Sequence, residues 1–370
     1  MMGPLRRALD RFRGAGDAAI ALPPMDGAIR PNQALETAEL VLEVERPDNL
    51  AFDGQRVFFS SGATVLSIDP ARDAAKAETL AVFESEVTCV AADRGGNLAV
   101  ALDDGTVLFA AGPRKGQRIS DPGARPSCPT ALLLNENELI IAHGSRKHSP
   151  LGWKHDLMER NVSGSVWRVD LASSKPTCLA DRLAFPYGVA FDQDGNIAIA
   201  ESWRHRIVAA PGSGGGGTAA LLDHLPGYPA RLSPATGGGY WLCIFAPRSR
   251  LVELVLLERD FCADMFLEVE PDYWIAPSLS SGRSFLEPLQ GGGIKQLGIL
   301  KPWAPSRSYG LLIRLDAKFH PVASFHSRAD GTRHGVTSCV DLGDHVMVAC
   351  KGGDAIVRLA PGLRKGGAGI

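Results

Sequence analysis

Five residues of this chain pair a charged or reactive side chain with a place at the end of a short apolar run: Asp48, His143, Tyr187, Glu201 and Arg231. They stand in RPDNLAFD, ELIIAHG, FPYGVAFD, IAIAES and YPARL. A histidine titrates near neutral pH and suits the role of general base. An arginine beside a tyrosine can stabilise a developing oxyanion, or grip a carboxylate or phosphate through two parallel hydrogen bonds. Arg231 could equally be spent internally, as the partner of Asp48. Glu201 has a similar choice between acid–base work and pairing with Arg204 or Arg206. No nucleophile elbow GxSxG, Walker loop or HExxH occurs in the sequence. The GSGGGG run (212–217) lacks the strand–helix context of a phosphate loop and reads as a hairpin tip.

The elements that must hold these residues are written as a repeat. Four copies are clear, beginning at Asn49, Cys89, Gly188 and Ser338; two more, from Thr130 and Arg231, are interrupted. Each has a short apolar strand, a turn of the QDGN type and a returning apolar strand, and a third strand closes the unit. That spacing indicates all-β structure. A small sheet cannot bury both of its faces alone, whereas six sheets packed in a ring can. The expected fold is a six-bladed β-propeller with blades near 47–85, 86–126, 127–183, 184–227, 228–333 and 334–360. The run 35–45, LETAELVLEVE, reads as a strand that completes blade six and latches the ring. The organisation is thus an N-terminal arm (1–34), the propeller (35–360) and a C-terminal tail (361–370). Insertions at 145–163 and 247–308, the second with an expected helix over 249–266, follow the second strands of blades three and five and should overhang one channel mouth.

At that mouth the starts of the innermost strands supply Asp48, Tyr187, Arg231 and Thr337. The ends of the second strands supply His143, Glu201 and Lys351. The catalytic set read from this placement is His143, Tyr187, Arg231 and Glu201. Asp48, Trp153, His155, Arg248, Trp274, Tyr309 and His334 are the residues expected to bind substrate. Aromatics in the insertions, including Trp153, Tyr273, Trp274, Trp303 and Tyr309, could wall a pocket or merely anchor loops.

Bulk composition narrows the partners. The 370 residues carry a net charge of −2, so no basic field draws the chain to nucleic acid or anionic lipid. No apolar run reaches membrane-spanning length. The basic N-terminus MMGPLRRALDRFRGAG lacks the apolar core of a secretion signal, and the seven cysteines form no CxxC pair. A cytoplasmic location with reduced, buried thiols is expected. The sequence leaves the oligomeric state open.

The strings LAFPYGVAFDQDGNIAIAESWRHRI, LPGYPARLSPATGGGYWLCIFAPRS and YGLLIRLDAKFHPVASFHSRADGTRHGVTSCVDLGD carry a resemblance. Over roughly 40–360 the chain resembles the strictosidine synthase-like branch of the six-bladed lactonase superfamily, which also holds gluconolactonase/regucalcin proteins and paraoxonases. Hydrolytic members hold a divalent cation, usually calcium, at the channel mouth. The resemblance maps that ligand set onto Asp48, Pro129 or Thr130, Tyr187, and Ala230 with Arg231. Only Asp48 is a carboxylate, so no metal cofactor is expected. The glutamate used by alkaloid-forming members maps near Thr337 or Ser338. His143 replaces a common Asp of relatives. The implied function is a metal-independent hydrolase acting on a lactone or ester of small size, with His143 as base and Arg231 and Tyr187 at the oxyanion. A strictosidine synthase-like lyase or condensing enzyme and a non-catalytic small-molecule binder are the alternatives.

Overall fold

A computed structural model describes residues 22–71, 76–123, 127–288, 295–296, 299–300 and 306–359. Tight turns set the pitch of the fold. In QDGN, Asp192 Oδ1 accepts the backbone N–H groups of Asp194 at 2.9 Å and Asn196 at 2.8 Å. Gly195 takes φ +78°, where a side chain would be strained. Asp93 holds the backbone N–H of Asn97 in the same way at 2.9 Å.

Such hairpins build six four-stranded antiparallel sheets. Their innermost strands are Pro47–Phe52, Val87–Ala92, Pro129–Leu134, Pro186–Phe191, Gly227–Pro234 and Val336–Asp341. The second strands LAVAL, IAIAE and VMVAC are buried at every position instead of alternately. Both faces of a blade meet a neighbour, so a polar alternate would be buried too. Between blades one and two, Ala51, Phe58 and Val65 pack on Val87, Leu98 and Val100. Between blades six and one, Val57, Phe59 and Ile68 meet Val340, Met347 and Ile356.

The ring closes as the sequence predicts. Glu39–Glu43 pairs antiparallel with Ala355–Leu359 as the outermost strand of blade six. Just before it, Leu35 is fully buried and Asn32 Nδ2 donates to Ser324 O at 2.8 Å, fastening the approach to blade five.

The described parts of the insertions lie over one face. The first carries helix α1 (Trp153–Met158). In the second, the single helix expected over 249–266 is instead two, α2 (Arg250–Val255) and α3 (Arg259–Glu268). Ser249 Oγ caps α2 by accepting Val252 N–H at 3.2 Å. The helix then tightens, Glu258 N–H reaching Val255 O, and stops. The bend lets Val252 and Val255, then Cys262 and Met265, reach one apolar core below. Trp303 and the termini 1–21 and 360–370 lie outside the described residues.

Candidate functional site at the propeller axis

Around the axis, one residue from each blade joins a single cluster. Arg231 of blade five is the hub. Its Nη1 donates to Asp48 Oδ1 of blade one at 2.8 Å. Its Nη2 donates to Thr88 O of blade two at 2.8 Å and Thr130 O of blade three at 3.2 Å. The guanidinium carbon lies 4.9 Å from the centre of the Tyr187 ring of blade four, a cation–π contact. Lys351 of blade six donates to Asp48 Oδ2 at 2.9 Å.

Local sequence explains why the arginine can stand there. The blade-five strand breaks register between Pro229 and Leu232, and Arg231 sits in that irregularity. Gly188 of FPYGV faces it. A Cβ at 188 would come within 2.4 Å of Ala230 O and 2.8 Å of Arg231 Cα, so only glycine admits the close approach.

The three charges are tied tightly. The side chains of Asp48, Arg231 and Lys351 are 4%, 12% and 17% exposed. Burial alone would raise the Asp48 carboxyl, yet Arg231 and Lys351 hold it down to about 2. Burial would likewise lower the Lys351 ammonium, but Asp48 outweighs it and the group stays charged above its ordinary value. Burial raises the Tyr187 phenol, with Asp48 adding to the effect, and pushes the neighbouring Cys89 thiol up to about 12. Both are neutral at physiological pH.

Above this cluster lies a cavity of about 100 Å³. Asp48, Thr88, Thr130, Tyr187 and Lys351 form its floor. Trp153, Phe185, Trp203 and Phe245 are its aromatic walls, and Leu151 and Leu279 come from the two insertions. Trp153 meets Phe245 edge-on with ring centres 5.4 Å apart, while Phe185 stacks on Trp203 at 4.3 Å. Trp203 is oriented by its Nε1–H, which donates to Asp156 Oδ1 of α1 at 2.8 Å. Arg46 and Glu86 pair at 3.3 Å at the rim. The insertions also clasp each other: Lys154 Nζ donates to Pro271 O at 3.0 Å, and the rings of His155 and Trp274 meet edge-on at 4.4 Å.

The calcium seat implied by the resemblance does not suit this donor set. Calcium takes six to eight oxygens. Here the one axial carboxylate has each oxygen held by a cationic nitrogen, and the carbonyls of Thr88 and Thr130 already accept from Arg231. The guanidinium stands among oxygens that could otherwise face an ion.

The expected site residues separate into two groups. Asp48, Tyr187 and Trp153 line the cavity, with Arg231 directly beneath them. His143 does not line it. Its side chain is 2% exposed, its Nε2 lies 2.9 Å from Asp121 Oδ1, and the loop at Gly123 covers its ring. Glu201, fully buried, accepts from Ala184 N–H at 2.7 Å, Arg204 Nη1 at 2.9 Å and Arg206 Nε at 2.6 Å. It is a structural knot. His155 and Trp274 belong to the roof clasp, and Trp274 Nε1 donates to Val269 O at 2.7 Å. Arg248 pairs with Glu253 at 2.9 Å behind blade five. Tyr309 Oη meets His326 Nδ1 at 3.1 Å, and His334 bridges Ser308 Oγ and Arg328 O at 2.7 Å each. None of these last five lines the cavity.

Register explains the misplacement. The first residue of each innermost strand pairs across to the end of the second strand: Pro129 with His143, Pro186 with Glu201, Val336 with Cys350. His143, Glu201 and Cys350 are therefore equivalent. Lys351 is one residue further on, and a one-residue step turns a side chain to the other side. Trp203, Phe185 and Phe245 escaped the sequence reading. The signal for Trp203 was available, since it stands two residues beyond Glu201 at a strand end already marked as facing the mouth.

No established family profile matches the chain. It is similar to the adipocyte plasma membrane-associated protein of Danio rerio, 26% identical over 312 residues that span 72% of this chain and 74% of the relative. It is similar also to the Salmo salar protein of the same name, 24% identical with the same coverage. Among solved structures, a gluconolactonase from Xanthomonas campestris aligns over 92% of this chain and 97% of its own, with TM-score 0.54 and 13% identity. A luciferin-regenerating enzyme aligns over 88% and 93%, with TM-score 0.52 and 13% identity. At these identities the structural likeness establishes the fold. No helix among the described residues is long and apolar enough to cross a membrane. This chain is a six-bladed β-propeller.

Proposed function

We propose that this propeller is a metal-independent hydrolase that opens a small lactone or ester in the axial cavity. The observation that carries the reading is a buried ammonium, Lys351, beside a fixed carboxylate on the floor of an aromatic-walled cavity. Lys351 has three N–H donors and gives one to Asp48, so it has donors left for a substrate carbonyl. An ammonium in such a water-poor place stabilises charge developing on the carbonyl oxygen. The Tyr187 hydroxyl, held neutral, is a second donor at the same floor.

Asp48 would orient the attacking water through its lone pairs; the water oxygen bonds to the carbonyl carbon, the acyl C–O bond breaks, and the water's proton passes to the departing oxygen. Held at about 2, it is a weak proton acceptor, and His143 is not at hand to replace it. The chemistry therefore rests on polarising the carbonyl, which favours strained lactones and esters with good leaving groups. Arg231 does not line the cavity; it is a positioning residue that fixes Asp48, which in turn fixes Lys351. The gluconolactonase and luciferin-regenerating likenesses support an enzyme on this fold. Among the described residues both carboxylates of the cavity are paired, Asp48 with Arg231 and Lys351 and Glu86 with Arg46, which favours one second reading, a propeller that binds a small molecule without turning it over.

The test is a panel of lactones and activated esters assayed with and without EDTA. Chelator-resistant turnover that falls at least tenfold in Lys351→Met, and is recovered in part by Lys351→Arg, supports the hydrolase. Binding without turnover supports the second reading. Turnover abolished by EDTA and restored by calcium overturns metal independence.

A further inference from the structure

We infer that the axial cavity is built to hold a small aromatic monocarboxylate, its carboxylate on Lys351 and its ring against the indole and phenyl walls. The inference rests on the cavity being the ligand site, as proposed above, but not on any hydrolytic step.

Charge is the first argument. The ionised groups of the cavity and its floor are Arg46, Lys351 and Arg231 against Asp48 and Glu86. Arg46 and Glu86 cancel at the rim. Deeper in, one carboxylate faces two cations, since Asp48 gives one oxygen to Arg231 and the other to Lys351. Among the described residues no further anion offsets the difference: the Tyr187 phenol and Cys89 thiol are both raised by burial and stay protonated. A buried cluster left with one excess positive charge is costly unless an anion joins it.

The second argument is donor geometry. Arg231 is committed to Asp48, Thr88 O and Thr130 O. The Lys351 ammonium has Asp48 as its one hydrogen-bond partner among the described residues, and it borders the cavity. The excess charge is therefore presented to the cavity by the lysine. A singly charged ligand neutralises it, whereas a phosphate dianion would leave the site negative.

The third argument is the wall. Trp153, Phe185, Trp203 and Phe245 are interlocked edge-on, tilted or stacked, an apolar surface suited to an aromatic ring. A volume of about 100 Å³ limits the enclosed part of the ligand to a single ring.

The experiment is calorimetric titration of the full-length protein with benzoate, benzamide and inorganic phosphate. Benzoate is expected to bind at least tenfold more tightly than benzamide, with phosphate weaker than benzoate. In Lys351→Met the benzoate preference should fall below about twofold while benzamide binding persists, and Lys351→Arg should restore it. The persisting benzamide affinity shows that the variant is folded and its cavity intact. Equal binding of benzoate and benzamide by the wild type overturns the charge argument and leaves the ligand site standing. Phosphate binding more tightly than benzoate overturns the carboxylate. Failure of all three to bind overturns the ligand site itself, and this inference with it.

Discussion

Replacing Arg231 by methionine tests whether a guanidinium holds the six blades together at the axis. The substitution keeps side-chain bulk and removes three hydrogen bonds, at 2.8, 2.8 and 3.2 Å. Removing one partner of a buried ion pair costs about 3–5 kcal/mol. Two orphaned carbonyls would add roughly 1–3 kcal/mol each if they stayed dry. Arg231 also lines the channel space below, however, so water can reach them, and Asp48 keeps Lys351. The net expectation is about 3–5 kcal/mol. With an unfolding entropy of about 2.1 cal/mol/K per residue, a propeller of this length loses roughly 4–7 °C in melting temperature. Circular dichroism melts and urea titrations read the effect. Combining Asp48→Asn with Arg231→Met should cost at least about 1 kcal/mol less than the two single losses added, because the pair is one interaction. A single variant melting within about 1 °C of wild type, or strictly additive losses, would refute the hub.

Other outcomes follow from the same geometry. Asp48 is held from 3.8 down to about 2, so its contribution of roughly 2 kcal/mol is complete above the unfolded value and disappears as pH falls from about 4 towards 2. The stability gap between wild type and Asp48→Asn in urea should narrow across that window. Burial holds His326 at about 4, so the unfolded chain takes up its proton first. Roughly 2–3 kcal/mol of stability should be lost between pH 6.5 and 4, and His326→Gln should flatten that limb. Glu201→Gln, which leaves Arg204 and Arg206 without their buried carboxylate, should cost about 2–4 kcal/mol by chemical denaturation. His143→Gln should leave kcat/KM on any substrate within about threefold, since the imidazole is sealed beneath Gly123. Adding calcium or EDTA should move the melting temperature by less than about 1 °C.

Much of this architecture is legible from residue order. Turns rich in Asp, Asn and Gly between apolar runs specify the hairpins, and LETAELVLEVE has no mate in blade one, which leaves blade six as its partner. The axial trio of Asp48, Tyr187 and Arg231 could be read because each begins or interrupts an innermost strand. His143 was assigned to the mouth because strand ends can be counted but their facing cannot: parity depends on register, and register depends on where the chain bulges. The roof was less legible still. Trp274 and His155 are 119 positions apart and meet only because both insertions arch over one face. The helix break at 256–258 answers to the dome beneath it, which local periodicity does not encode.

The position of Arg231 also decides how molecules move. Its side chain lines the lower channel, while the aromatic cavity above is lined by other residues. Among the described residues the two spaces share no lining side chain, and the guanidinium stands between them. A ligand of the upper space is therefore expected to enter and leave on the side of the insertions, where Lys154 holds Pro271. On this arrangement a weaker clasp would hasten both arrival and departure without touching the floor.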